Sequence, residues 1–321
     1  MGPFVNIRSG MRTELWASLA ILVGVAAVPA FLIDDYWRGV MIVSMYFAML
    51  AIGWNLLAGF TGQFSLAPAT FGMIGAYATG LLAYHFGGTA PSGILTAIIV
   101  SAAIGFVLAR VVMRLRGPYL ALTTLSFAEI TRLVIGNSID VTRGDLGLNV
   151  PSLIENRLVY YYVMLAVLTA SQLGMYVLLR SSVGLYLRAI RDDEIAAAGR
   201  GVKTVRWKTF AFTLSAAISG LAGALYGHFA LLVSPELGLL SQTGLIISMV
   251  VIGGLGSLVG PIGGAFLIYP TSELLRDLGG YQLIVFALLL ILFARFFRRG
   301  LWGLFRVGYE RLSATSSAPG K

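Results

Sequence analysis

With 321 residues, 58% of them hydrophobic and only 12% charged, the chain has too little charge to clothe a soluble globule, in which roughly a quarter of residues are charged. A net charge of +9 could serve a nucleic-acid partner, but its distribution along the chain fits a membrane and no nucleic acid. The lack of cysteine excludes disulfides, thiolate nucleophiles and thiolate metal sites.

A helix needs about 20 apolar residues to cross ~30 Å of hydrocarbon. The first such segment, 15–33, follows Arg8 and Arg12. It is too long for a signal-peptide core and no clear cleavage site follows, so it reads as a retained helix. A second span covers 40–58. A glycine-rich break comes next, from Gly59 through Gly62, Gln63 and Phe64 to Ser65, with Asn55 just before it. Spans at 66–84 and 94–113 follow, and Pro118 suits the first turn of another helix.

The span 119–137 is more polar, with Thr123, Thr124, Ser126, Glu129, Thr131 and Arg132, and is expected inside the bundle rather than against lipid. Glu129 and Arg132 share one helix face. They are either a pathway contact or a structural ion pair locking two helices, since an isolated charge in a bilayer is costly. An outer loop occupies 138–157 and the next span 159–179. A charged, alanine-rich island fills 180–208 before the span 209–232. The last third holds short apolar segments, 243–252 and 262–275, around a second break that runs from Gly253 and Gly254 through Gly256 and Ser257 to Pro261. Glu273 and Arg276 read as a structural pair near the outer boundary. A final span covers 281–297, and the small, polar tail 313–321 reads as disordered.

About ten crossings with the N-terminus inside put most arginines and lysines, including those of the island and the C-terminal region, on the cytoplasmic side. Arg38, Arg143, Arg157 and Arg276 fall outside among acidic residues. This is the positive-inside pattern. It gives an all-α polytopic bundle with broken helices, N-in and C-in, and explains the basic character without an anionic ligand. The 39 glycines fit helices whose backbones approach closely.

Irregular backbone survives in a membrane only where protein or water satisfies it. The breaks therefore either line a substrate route or pack helices together. The route candidates are Asn55, Gln63, Ser65, Thr123, Thr124, Ser126, Glu129, Gly253, Gly254, Gly256 and Ser257. Enzyme signatures are absent. Of the three lysines, Lys203, Lys208 and Lys321, only Lys321 follows a glycine, and Thr315 stands where a phosphate-binding loop needs its first glycine, which excludes that motif. Any nucleotide that drives the protein binds to another chain.

In the island, Asp192 can cap a helix with Asp193 and Glu194 in its first turn, followed by Ala196, Ala197 and Ala198. Gly199 or Gly201 can end it. Two turns are marginal alone, so the segment either docks on a partner, with Arg188, Arg191 and the acids making charge-assisted contacts, or lies on lipid headgroups.

Taken in order, WNLLAG at 54–59, GQFSL at 62–66, IGAY at 74–77, GPYLALTTLSFAEI at 117–130, RAIRDDEIAA at 188–197 and VVIGGLGSLVGP at 250–261 resemble the permease subunits of bacterial branched-chain amino acid ABC importers, the longer of the two homologous permeases in particular. The likeness runs from about residue 45 to 300. It implies a cytoplasmic N-terminus at 1–14, a transmembrane permease domain at 15–300 with a coupling segment at 180–208, and a cytoplasmic tail at 301–321. It also implies an inner-membrane importer subunit without catalytic residues or a cofactor of its own. Its partners would be a second permease, two ATP-binding cassette subunits that hold ATP and Mg, and a periplasmic substrate-binding protein. Arg188, Arg191, Asp192, Asp193, Glu194, Ala196, Ala197 and Gly201 would form the coupling helix. Ala67 and Pro68, the Thr142, Arg143, Gly144 run, and Ala198, Gly199, Arg200 depart from the family pattern. The first two departures leave urea, short amides or aromatic acids open as substrates. A secondary transporter driven by an ion gradient is the alternative class.

Overall fold

A computed structural model describes residues 7–31, 34–115 and 117–281, together with 285, 287, 288, 291 and 300–303. The helices are α1 Ile7–Phe31, α2 Asp35–Ala58, α3 Pro68–Phe86, α4 Ala90–Val112, α5 Pro118–Asn137, the single turn α6 Ile139–Thr142, α7 Arg157–Arg180, α8 Ser182–Asp192, α9 Glu194–Gly199, α10 Thr204–Ala230, α11 Leu240–Gly254 and α12 Gly260–Leu274. Among the described residues, α1, α2, α4, α5, α7 and α10 are long and apolar enough to cross a membrane. Six of the anticipated spans match these helices, to within a few residues at most ends; the anticipated span 66–84 corresponds to α3, which is not among the six. The last span, 281–297, and the tail lie largely outside the described residues.

Helix ends follow local chemistry. Asp34 caps α2 by accepting from the Tyr36 N–H at 2.9 Å, and Asn156 caps α7 by accepting from the Leu158 and Val159 N–H groups. Pro68 and Pro118 open α3 and α5, where a missing N–H costs nothing. α10 stops at Ala230 because Leu231 takes a left-handed conformation, φ 62°. The chain then enters a short strand, β2 Leu232–Val233, which pairs antiparallel with β1 Leu148–Asn149. This ribbon, at the end of the bundle opposite the island, has no counterpart in the sequence reading.

α2 is the hub, with 89% of its span buried, and α7, α10 and α12 pack around it. α10 also packs on α3 and α4, and glycines set the distance. A Cβ on Gly223 would lie 1.8 Å from the Gly72 carbonyl oxygen, and one on Gly75 would lie 2.1 Å from that of Gly220. Only bare backbone fits there, the small-residue packing that membrane bundles favour. α11 and α12 form an antiparallel hairpin around the second break, equally close.

α5 overturns an expectation. It is the least apolar of the six long helices, yet only 17% of its span is buried. It stands at the edge of the chain, not inside the bundle. The reason lies in its hydroxyls. Thr123, Ser126 and Thr131 each donate to the carbonyl four residues back, so this polarity is satisfied within the helix and needs no burial.

Candidate functional site

The two glycine breaks, far apart in sequence, meet in one polar knot. Asn55, 3% exposed near the end of α2, donates from Nδ2 to the Ser257 carbonyl at 2.8 Å and accepts the Gly256 N–H on Oδ1 at 2.8 Å. One amide thus meets both a donor and an acceptor of unwound backbone. Further along the break, the Leu258 N–H donates to Glu14 Oε2 at 3.0 Å, and Gln172 Nε2 donates to the Leu258 carbonyl at 2.8 Å. Ser257 donates its hydroxyl to the Gly254 carbonyl and accepts the Gly260 N–H. α1, α2 and α7 each lend a side chain to groups that would otherwise be orphaned in a membrane. The breaks also touch: a Cβ on Gly59 would sit 2.7 Å from the Gly256 nitrogen.

The anticipated route residues separate accordingly. Asn55, Ser65, Gly253, Gly254 and Ser257 are buried and secure backbone, Ser65 by accepting the Trp54 indole N–H on its carbonyl at 2.8 Å. Gly256 is half-buried beside them. Thr124 joins this group, because its hydroxyl accepts the Leu66 N–H at 2.9 Å and ties α5 to the first break. Gln63 lines a cavity of about 530 Å³ between the first break, the start of α5 and the island. Thr123, Ser126 and Glu129 lie along α5, with Ser126 exposed. Glu129 accepts from Arg132 Nε at 3.0 Å. This pair closes within one helix and does not lock two. The Glu273–Arg276 pair does bridge helices, since Tyr36 of α2 donates its hydroxyl to the same Glu273 carboxylate.

The island is two helices, not one. The amphipathic α8 buries Leu187 and Ile190, which carries the helix on through Asp192. The cap is therefore Asp193, not Asp192. Its backbone is extended, φ −159°, and its carboxylate accepts from the Ile195 and Ala196 N–H groups at 2.8 and 3.0 Å. α9 closes on Gly201, φ 85°, where the Gly201 N–H donates to the Ala198 carbonyl and the Val202 N–H to the Ala197 carbonyl. That paired pattern is a glycine-terminated Schellman cap, which selects Gly201 over Gly199.

Three side chains root the island. Lys208 of α10, 1% exposed, donates to Glu194 Oε1 at 3.1 Å. The burial of an ammonium demands such a partner. Arg191 Nη1 donates to the Gly59 carbonyl at 2.6 Å. Arg188 Nη2 lies 2.7 Å from Met11 Sδ and its guanidinium stands over the Phe60 ring. Burial draws the Arg188 guanidinium below its ordinary range, against the pull of Glu14. The Arg188, Arg191 and Glu194 side chains thus engage this chain itself. What α9 presents outward is Ile195, 70% exposed, with Ala196, Ala198, Gly199 and Arg200, while only Ala197 is buried. The sequence signals capping and amphipathicity but carries no local mark of the Lys208, Gln172 or Glu14 contacts, which join distant segments.

Residues 37–294 match the family described as branched-chain amino acid transport system, permease component. The high-affinity branched-chain amino acid transport system permease protein LivM of Salmonella typhimurium is 32% identical over 306 residues, covering 85% of this chain and 71% of that one. LivH of the same organism is 26% identical over 292 residues, covering 81% and 94%. BraD of Pseudomonas aeruginosa is 26% identical over 280 residues, covering 79% and 90%. No solved structure matches.

Proposed function

Since the chain belongs to the permease-component family of branched-chain amino acid transport systems, we propose that it is the translocation subunit of an ATP-driven importer. It works by alternating access on branched-chain or related amino acids in the bacterial inner membrane, N-terminus and C-terminus inside. ATP and Mg are held by two ATPase subunits, and a binding protein delivers substrate from outside.

The observation that carries this reading is the island. α9 is too short to persist alone, yet it is capped at both ends, tied to α10 through Lys208, and turns an apolar, small-residue surface outward. A rooted helix with a flat free face suits force transfer from a docked partner better than rest on headgroups.

The relatives include both LivM and LivH proteins, in keeping with a pair of homologous permeases. α5 supports a matching position for the route. Glu129 and Arg132 lie near its middle, 37% and 28% exposed, and charges at such depth are costly in hydrocarbon. Their face suits the second permease and the wet route between the two.

Co-purification with co-expressed ATPase subunits tests the docking role. Ile195→Glu places an unpaired charge on the α9 face and should abolish capture of the ATPase, while the thermal stability of the bundle stays unchanged. Undiminished capture would contradict the assignment.

A further inference from the structure

We propose that Arg191 is the positioning residue that carries movement of the island into the two glycine breaks, an inference that rests on the coupling reading above. α2 ends at Ala58; the carbonyls of Asn55, Leu56 and Leu57 are met from the break by Gly59, Phe60, Thr61 and Gln63, which leaves that of Gly59, at the negative end of the helix dipole, to a partner from elsewhere. The Arg191 guanidinium fills that position from outside, donating to the Gly59 carbonyl at 2.6 Å. It is a charge-assisted bond.

Arg191 touches both breaks at once. Its Cα stands 3.4 Å from where a Cβ on Gly62 would be, against a backbone of φ 71°. A Cβ on Gly256 would lie 2.9 Å from Arg191 Nη1 and 3.1 Å from the Gly59 carbonyl oxygen. The guanidinium therefore sits where the breaks converge, one step from the Asn55 amide that ties them together.

The chain connection is equally direct. Arg191 lies two positions before Asp193, the cap of α9, so a shift of α9 pulls on the guanidinium almost without slack. On its other side α9 is held to α10 by Lys208 and Glu194, and α10 is locked backbone to backbone against α3. That side does not yield. The break side is held by polar bonds to unwound chain, and it can.

The absence of cysteine makes the test clean. Phe64→Cys puts one thiol in the first break at a half-exposed position. The complex with its ATPase subunits is labelled with a maleimide, nucleotide-free and trapped with ATP and vanadate. The labelling rate should change on trapping by about tenfold, the scale of one hydrogen bond to a charged group. With Arg191→Ala added, ATPase subunits should still co-purify but the rate should no longer depend on nucleotide. An unchanged nucleotide response in Arg191→Ala overturns the proposal, as does the lack of any response in the Phe64→Cys parent. If Arg191→Ala fails to accumulate, Arg191→Gln keeps a donor without the charge or the reach. Its response should shrink, and a full response is equally fatal. Ile195→Glu separates the two levels: if it leaves ATPase capture intact, the docking role itself fails, whatever Arg191 does.

Discussion

α2 and α5 are both long enough to cross a membrane and both carry conspicuous polar residues, yet the first is the buried hub of the chain and the second stands at its edge. The difference lies in where the polar groups go. In α2, Asn55 and Trp54 reach across to Ser257, Gly256 and Ser65. In α5 the hydroxyls of Thr123, Ser126 and Thr131 turn back on their own helix, and Glu129 pairs with Arg132 on the next turn. Polar content therefore does not predict burial in a membrane helix. A polar group fixes a helix in place only when it satisfies someone else's backbone.

Substitutions in the two helices should part company accordingly. Trp54→Ala removes a fully buried indole and its bond to Ser65 and should cost ~3–5 kcal/mol, seen as a steep fall in the thermal unfolding midpoint of the purified protein. Asn55→Leu keeps the volume but orphans the half-buried Gly256 N–H and the buried Ser257 carbonyl in the second break. It should cost about 2 kcal/mol or more, and unchanged stability would break the claim that this amide holds the knot. On α5, replacing Glu129 and Arg132 together by Leu should leave the unfolding of this chain nearly unchanged while uptake by the complete transporter falls severalfold, if the face serves a neighbour as proposed. Smallest of all, Thr123→Val and Ser126→Ala should stay within about 0.5 kcal/mol of the parent. A larger loss would mean that these two hydroxyls, like that of Thr124, hold α5 to the rest of this chain.

The same contrast marks what the sequence discloses. Spans, breaks and island are legible because hydropathy, glycine runs and capping residues act locally. The cap shifts by one residue: locally Asp192 serves as well as Asp193, and only the burial of Leu187 and Ile190 carries α8 past Asp192 to leave the role to Asp193. α5 misled because its threonines and serines carry no sign of whether they bond within the helix or beyond it. The charge of Arg191 is plain in the sequence, but its bond to the Gly59 carbonyl depends on two segments that meet only in the folded chain. The β1–β2 ribbon is two residues per strand, too short to raise a periodic signal.

The most direct test of the functional account is uptake. In proteoliposomes holding this chain, its partner permease and the ATPase subunits, with binding protein outside, labelled leucine should accumulate only when ATP is enclosed, and Ile195→Glu should abolish that accumulation. Accumulation by this chain alone, driven by a pH gradient and indifferent to ATP, would contradict the account.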